Sequence, residues 1–232
     1  EYEAGVEMGK FFADKGIKTA AIYGAFIPNP MHVYRTAGVL AGLGLSYGGA
    51  TTEEDVVGLI FADQGIDLSK ISGDIKIVSY LQGYGDTTTD EINAAIQAAP
   101  EAFISVGMAT TFFTQQLNAA GIEFSDIDSF TKSNGEAITN GKLVYLAGKY
   151  SSSVGPAFAL VMNAINGNVI RDAQGNAVSL SQNYQVATDS ETFDKFYKND
   201  NGDNPIYSRD TLDQIIGDTV TFDTINEVVA SN

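Results

Sequence analysis

His32 is the one histidine among 232 residues, so any proton relay built on imidazole has to use it. It stands in N-P-M-H-V-Y-R, three residues before Arg35, and no G-x-S-x-G turn accompanies it to supply a nucleophile. A packed ring, or a hydrogen-bond donor near a strand end, is therefore expected of it rather than catalysis. Arg35, on the helix that follows, is expected to pair with a carboxylate. Cysteine is absent, which removes thiol catalysis, thiolate metal sites and disulfides together. Asn199, Asn201, Asp203 and Asp210 alternate faintly as a calcium loop does. The central Gly and terminal Glu of such a loop are missing, so a solvated turn is expected. No cofactor is implied by any of these residues.

Other side chains suit binding. Tyr84 and Asp86 lie in Q-G-Y-G-D, a glycine-flanked turn where a ring could stack on a ligand and a carboxylate could accept its hydroxyls. Asp86 as a helix cap is the alternative. Asp128 closes the run S-D-I-D and could meet either a ligand or backbone. Phe26, Asn29, Met108 and Tyr150 occupy similar turns, where aromatic residues serve as packing as often as they serve as platforms.

Side chains act only where the chain holds them, and apolar periodicity says where that is. Ala4, Met8, Phe11 and Phe12 share one face of a helix over 1–16 that Gly16 ends. Residues 18–23 form a short apolar run bounded by glycines, as a buried parallel strand does. Over 31–43, Tyr34, Ala37, Gly38 and Ala41 fall at helical spacing after Pro28 and Pro30. Beyond an excursion at 45–74 with one helix near 53–62, strands are expected at 75–81, 102–106, 126–130 and 142–147. Helices are expected at 90–99, 109–120, 132–140 and 153–166. The first of these has Thr88 and Glu91 at capping-box spacing, and the last carries Val154, Phe158, Val161, Met162 and Ile165 on one stripe. A strand at 184–187, a helix capped by Thr188 and Glu191, and two short helical segments follow.

Strands alternating with helices through short loops mean an α/β fold, a parallel sheet with helices on both faces. Ligands of such sheets collect at the carboxyl ends of the strands. That rule singles out 25–32, 83–86, 107–110, 128–132 and 149–153, and with them Phe26, Asn29, His32, Tyr84, Asp86, Met108, Asp128 and Tyr150.

Lys and Arg number 13 against 29 Asp and Glu, a net charge of −16. Such a field repels phosphate backbones and anionic lipid, which disfavours nucleic-acid binding by this segment. No apolar run approaches the roughly 20 residues that cross a bilayer.

Several pieces together resemble the type 1 periplasmic-binding-protein family, shared by ribose-type solute receptors and the effector domains of sugar-responsive repressors. They are A-G-V-E-M-G-K-F-F-A at 4–13, K-T-A-A-I-Y-G after it, R-T-A-G-V-L-A-G-L at 35–43, A-F-I-S-V-G with Q-Q-L-N-A-A-G-I-E-F-S-D-I-D at 115–128, and I-T-N-G-K-L-V-Y-L at 138–146. The resemblance implies a ligand held between two lobes, with residues 1–150 forming mainly the second lobe, 151–182 returning toward an incomplete first lobe, and 183–232 supplying a C-terminal strand and helices. It implies a small-molecule ligand and a membrane transporter or sensor as partner, at an extracytoplasmic site, lipid-anchored if a segment upstream provides the anchor. The alternative within the same fold is the effector domain of a cytoplasmic transcription regulator; an α/β enzyme is the third reading. The site departs from the family pattern. Gly107–Met108 stands where sugar-binding members often place Asn-Asp, and Val33 where they place an Arg, so a simple pentose or hexose is put in doubt.

Overall fold

The computed structural model describes residues 1–83, 87–202 and 205–231. Helix α1 (Tyr2–Asp14) turns Ala4, Met8 and Phe12 inward, and strand β1 (Thr19–Tyr23) is buried from Ala20 onward. Helix α2 (Pro30–Gly42) starts at Asn29, whose side chain accepts the Met31 N–H at 3.0 Å. Strands β2 (Ser46–Tyr47) and β3 (Ile71–Ser72) form a small ribbon around α3 (Glu53–Asp63). The alternation continues through β4 (Lys76–Leu81), α4 (Thr87–Gln97), β5 (Ala102–Ser105), α5 (Ala109–Phe112), α6 (Thr114–Ala120), β6 (Glu123–Ile127), α7 (Lys132–Asn140) and β7 (Leu143–Gly148). Then come α8 (Gly155–Ile165), β8 (Gln185–Ala187), α9 (Ser190–Asn201), α10 (Arg209–Asp213) and α11 (Phe222–Ala230).

The main sheet runs β4-β1-β5-β6-β7-β8, with all neighbours parallel except β8, which lies antiparallel to β7. Successive residues of β6 show that both faces are covered. Ser125 points its hydroxyl at Met8 Sδ of α1, while Asp126, on the opposite face, receives Thr110 of α5. β5 is buried at every position, as a strand roofed on both sides must be.

Helices α1 and α2 cross at unusually close range because each presents glycines at the contact. A Cβ on Gly38 would stand 2.1 Å from the Tyr2 carbonyl oxygen, and one on Gly42 2.2 Å from that of Val6. The backbones touch directly, which brings the first turn of α1 against Arg35 in α2. A separate small apolar cluster joins α8 to the C-terminal helices through Ala159, Ile215 and Ile225.

Three expectations need correction. The strand placed at 126–130 is β6 at Glu123–Ile127, because Gly121 ends α6 in a left-handed turn and Phe124 is the strand's buried anchor. The helix expected over 109–120 breaks at Phe113, whose ring packs edge-on against Tyr23 at 4.9 Å and Phe103 at 5.9 Å and draws its backbone out of the helical region. α9 is capped by Asp189, which accepts the Thr192 N–H at 2.7 Å, in place of Thr188.

Candidate functional site

Strand order reverses beside β1: the chain passes from β1 to β4 on one side, then returns to β5 on the other. α2, paired with α1, lies on the Ser125 face of the sheet, and α5 lies on the Asp126 face. The loops after β1 and β5 therefore part to opposite faces, and a binding crevice is expected at their carboxyl ends.

Gly107 sits at this point. A Cβ there would lie 3.5 Å from Arg35 Nη1 and 3.8 Å from His32 Nε2, so glycine leaves room directly in front of both side chains. His32 is buried, and its Nδ1 lies 3.0 Å from both the N–H and the carbonyl oxygen of Phe26. As acceptor from the N–H, Nδ1 leaves the ring proton on Nε2, facing Gly107; as donor to the carbonyl, it leaves Nε2 an acceptor there. Burial, with the Arg35 charge assisting, lowers the His32 pKa and keeps the ring neutral. The ring is packed, as expected, and its Nε2 faces Gly107.

Arg35 is 5% exposed and directs its guanidinium three ways. Nε meets Glu1 Oε2 at 2.6 Å, Nη1 the Val106 carbonyl at 2.9 Å, and Nη2 the Tyr184 hydroxyl at 2.5 Å. The Tyr184 hydroxyl in turn donates to Glu1 Oε2 at 2.9 Å. Burial alone would raise the Glu1 pKa, but the Arg35 charge and the bonds from Arg35 and Tyr184 outweigh it and hold the carboxyl low. Lys149, at the end of β7, lies 3.7 Å from Glu1 and 4.4 Å from the centre of the Tyr184 ring. This network joins the carboxyl ends of β5 and β7 to the start of β8.

On the opposite face, Asp126 is wholly buried beneath the edge. Its Oδ2 accepts the Thr110 N–H at 2.8 Å and the Thr110 hydroxyl at 2.6 Å, and its Oδ1 accepts Ser105 Oγ at 3.2 Å and the Ile127 N–H at 3.0 Å. Burial pushes its pKa up to about 6, against the pull of the Thr110 bonds. Asp128, half-buried at the rim, accepts the Ser129 N–H at 2.8 Å and approaches Thr110 Oγ1 at 3.2 Å.

Phe26 is 46% exposed and Met108, in a left-handed conformation with φ 69°, is 37% exposed, so both present apolar surface at the strand ends. Asn29 gives its side-chain oxygen to the cap of α2. Tyr150 is buried among aromatic rings, 5.7 Å from Phe130 and 6.2 Å from Phe196. It borders a polar hollow of about 650 Å³ on the same edge, beyond β7, walled by Lys149, Gln182, Asn183, Tyr207 and Asn226. Tyr84, Asp86 and Asp203 lie outside the described residues. Among the described residues, no group of three or more His, Asp and Glu could hold a metal ion.

Reading the sequence missed Glu1, Thr110, Asp126 and Tyr184. The only local signal was the doublet D-I-D at 126–128, which puts two carboxylates on one face of a strand end. Glu1 and Tyr184 meet across 183 positions, with no local signal at all.

No protein-family model matches the sequence, and no curated protein is similar to it. Solved structures are similar in fold. The arabinose-binding component of an ABC transporter from Shewanella sp. ANA-3 superposes with a TM-score of 0.56 at 18% identity, over 85% of this chain and 59% of its own. A D-allose-bound solute-binding protein from Actinobacillus succinogenes 130z gives 0.54 at 16%, over 84% and 60%, and a galactofuranose-binding protein 0.59 at 10%, over 86% and 62%. The chain thus spans about three fifths of the length of each. Its fold is that of the type 1 periplasmic sugar-binding proteins, the family its sequence resembles.

Proposed function

We propose that this chain is the ligand-binding part of a non-catalytic small-molecule receptor, the solute-binding component of a bacterial ABC-type uptake or sensing system working outside the cytoplasmic membrane. The observation that carries the reading is the set of side chains gathered at the carboxyl ends of β1, β5 and β6. Phe26 and Met108 offer apolar surface there, the neutral His32 a polar ring nitrogen, and Asp128 an acceptor, a set suited to one face of a polar solute. The structural neighbours are named for arabinose, allose and galactofuranose, which favours a sugar or related polyol. The −16 charge turns the surface away from nucleic acid. No helix among the described residues is long and apolar enough to cross a membrane.

The division into lobes belongs to the same proposal. α8 packs one side on Ile215 and Ile225, yet Val154, Phe158, Val161 and Ile165 on the other are 48–70% exposed. A helix apolar all round is a buried helix. The cover we assign to this stripe is a first lobe, reached by residues 151–182; the neighbours extend beyond the part that this chain covers. Residues 1–150 are then the second lobe, with 183–232 bringing β8 back to its sheet.

Titration calorimetry with L-arabinose, D-allose and a galactofuranoside, extended to nucleosides and amino acids, tests the reading. The expected result is saturable binding that Phe26→Ala and Asp128→Ala each weaken at least tenfold. Chemical conversion of a bound solute, or binding that Phe26→Ala and Asp128→Ala both leave unchanged, overturns it.

A further inference from the structure

Asp126 and Asp128 leave the same face of the sheet and share one donor. Thr110 Oγ1 lies 2.6 Å from Asp126 Oδ2 and 3.2 Å from Asp128 Oδ2. A hydroxyl has a single proton and serves one of them at a time. While Asp126 is ionised it takes that proton, at the shorter distance, and the Thr110 contact with Asp128 is then oxygen against oxygen with no hydrogen between. The other partners of Asp126, the donors Ser105 Oγ, Ile127 N, Thr110 N and the Ala109 backbone among them, suit a carboxylate.

A proton placed on Asp126 Oδ2 reverses this chain. The new O–H donates to Thr110 Oγ1, and the Thr110 proton swings to Asp128 Oδ2. One proton is taken from solvent, no heavy-atom bond changes, and one of the two negative charges is lost. We propose that the Thr110 hydroxyl couples the buried carboxyl of Asp126 to Asp128, so that proton uptake below the crevice occupies an acceptor position at its rim. Asp128 is the charged group whose field acts on Asp126; Ser105 from β5 and Thr110 from α5 are uncharged neighbours. Burial, the largest influence, sets the titration at about 6, within reach of mild acidification. The consequence for binding is that a solute hydroxyl donating to Asp128 competes with Thr110 only in acid.

The coupling belongs to the ligand-free chain, so its failure leaves the receptor reading intact and the failure of that reading leaves the coupling to be measured. The experiment follows the side-chain carboxyl ¹³C shifts of Asp126 and Asp128 by NMR between pH 4 and 8. The expected result is an inflection of Asp128 at the midpoint of Asp126, kept in Thr110→Ser and reduced at least twofold in Thr110→Val, which removes the hydroxyl while retaining bulk and leaves only the direct field between the two carboxyls. An inflection of undiminished size in Thr110→Val, the mark of coupling through space alone, overturns the proposal. If Thr110→Val does not fold, Thr110→Ala carries the same test. In the unsubstituted chain, an Asp128 shift that runs flat through the Asp126 midpoint overturns it without any variant.

Discussion

Gly38→Ala probes the contact on which the geometry of Arg35 depends. The added Cβ would stand 2.1 Å from the Tyr2 carbonyl oxygen, 2.9 Å from Val6 N and 3.0 Å from Gly5 Cα, where ordinary contacts begin at 3.4 Å. All three are backbone atoms, so no side chain can swing aside, and α1 must retreat by more than an ångström. Overpacking of this kind costs about 1–3 kcal/mol, and alanine's better helix propensity offsets about 1 kcal/mol of it. The retreat also stretches the Glu1 contact with Arg35, now 2.6 Å, and weakening a hydrogen bond between charged groups adds about 1.5–3 kcal/mol. A net loss of about 2–4 kcal/mol should lower Tm by roughly 5–15 °C in a chain of this size. Thermal unfolding followed by circular dichroism measures it, with Gly58→Ala as control. Gly58 lies inside α3, and its added Cβ would meet nothing within 4 Å, so alanine there should stabilise by about 0.5–1 kcal/mol. If the two substitutions move Tm in the same direction by the same amount, the reasoning about helix approach is refuted.

Arg35→Lys replaces a three-way fork by a single ammonium that cannot reach Glu1, the Val106 carbonyl and Tyr184 together; a loss of about 2 kcal/mol in urea unfolding is expected. Asn29→Ala removes the cap of α2 and should cost about 1 kcal/mol by the same assay, with no loss if the cap is incidental. Because folding raises the Asp126 pKa from 3.8 to about 6, the native state holds this proton more tightly than the unfolded chain. The stability it contributes is fully present below about pH 4 and lost as pH rises through about 6, a swing of roughly 3 kcal/mol. Urea midpoints should therefore rise as pH falls from 7 to 5, and Asp126→Asn should flatten that slope.

Local pattern made the scaffold legible and long-range contact kept the site hidden. The apolar run ending at Tyr23 and the one at 102–106 each match a strand, because strands buried on both faces leave a continuous apolar signature. β6 was read three residues late because Glu123 and Ser125 interrupt that signature, although Ser125 is buried where its hydroxyl finds Ser105 and Met8. Arg35 was expected to meet a carboxylate, and it does. That the carboxylate is Glu1 and that Tyr184 completes the set follow from folding alone, since β8 returns to the sheet from far along the chain. The α8 stripe was visible as a periodicity, but only coordinates show that its cover is not among the described residues.

A crystal structure of the chain with bound L-arabinose, or with whichever solute calorimetry selects, tests the central claim most directly. The account predicts electron density for the solute at the carboxyl ends of β1 and β5, within hydrogen-bond distance of Asp128 and against Phe26 or Met108. Density at the opposite edge of the sheet, or on the outer face of a helix, would contradict it.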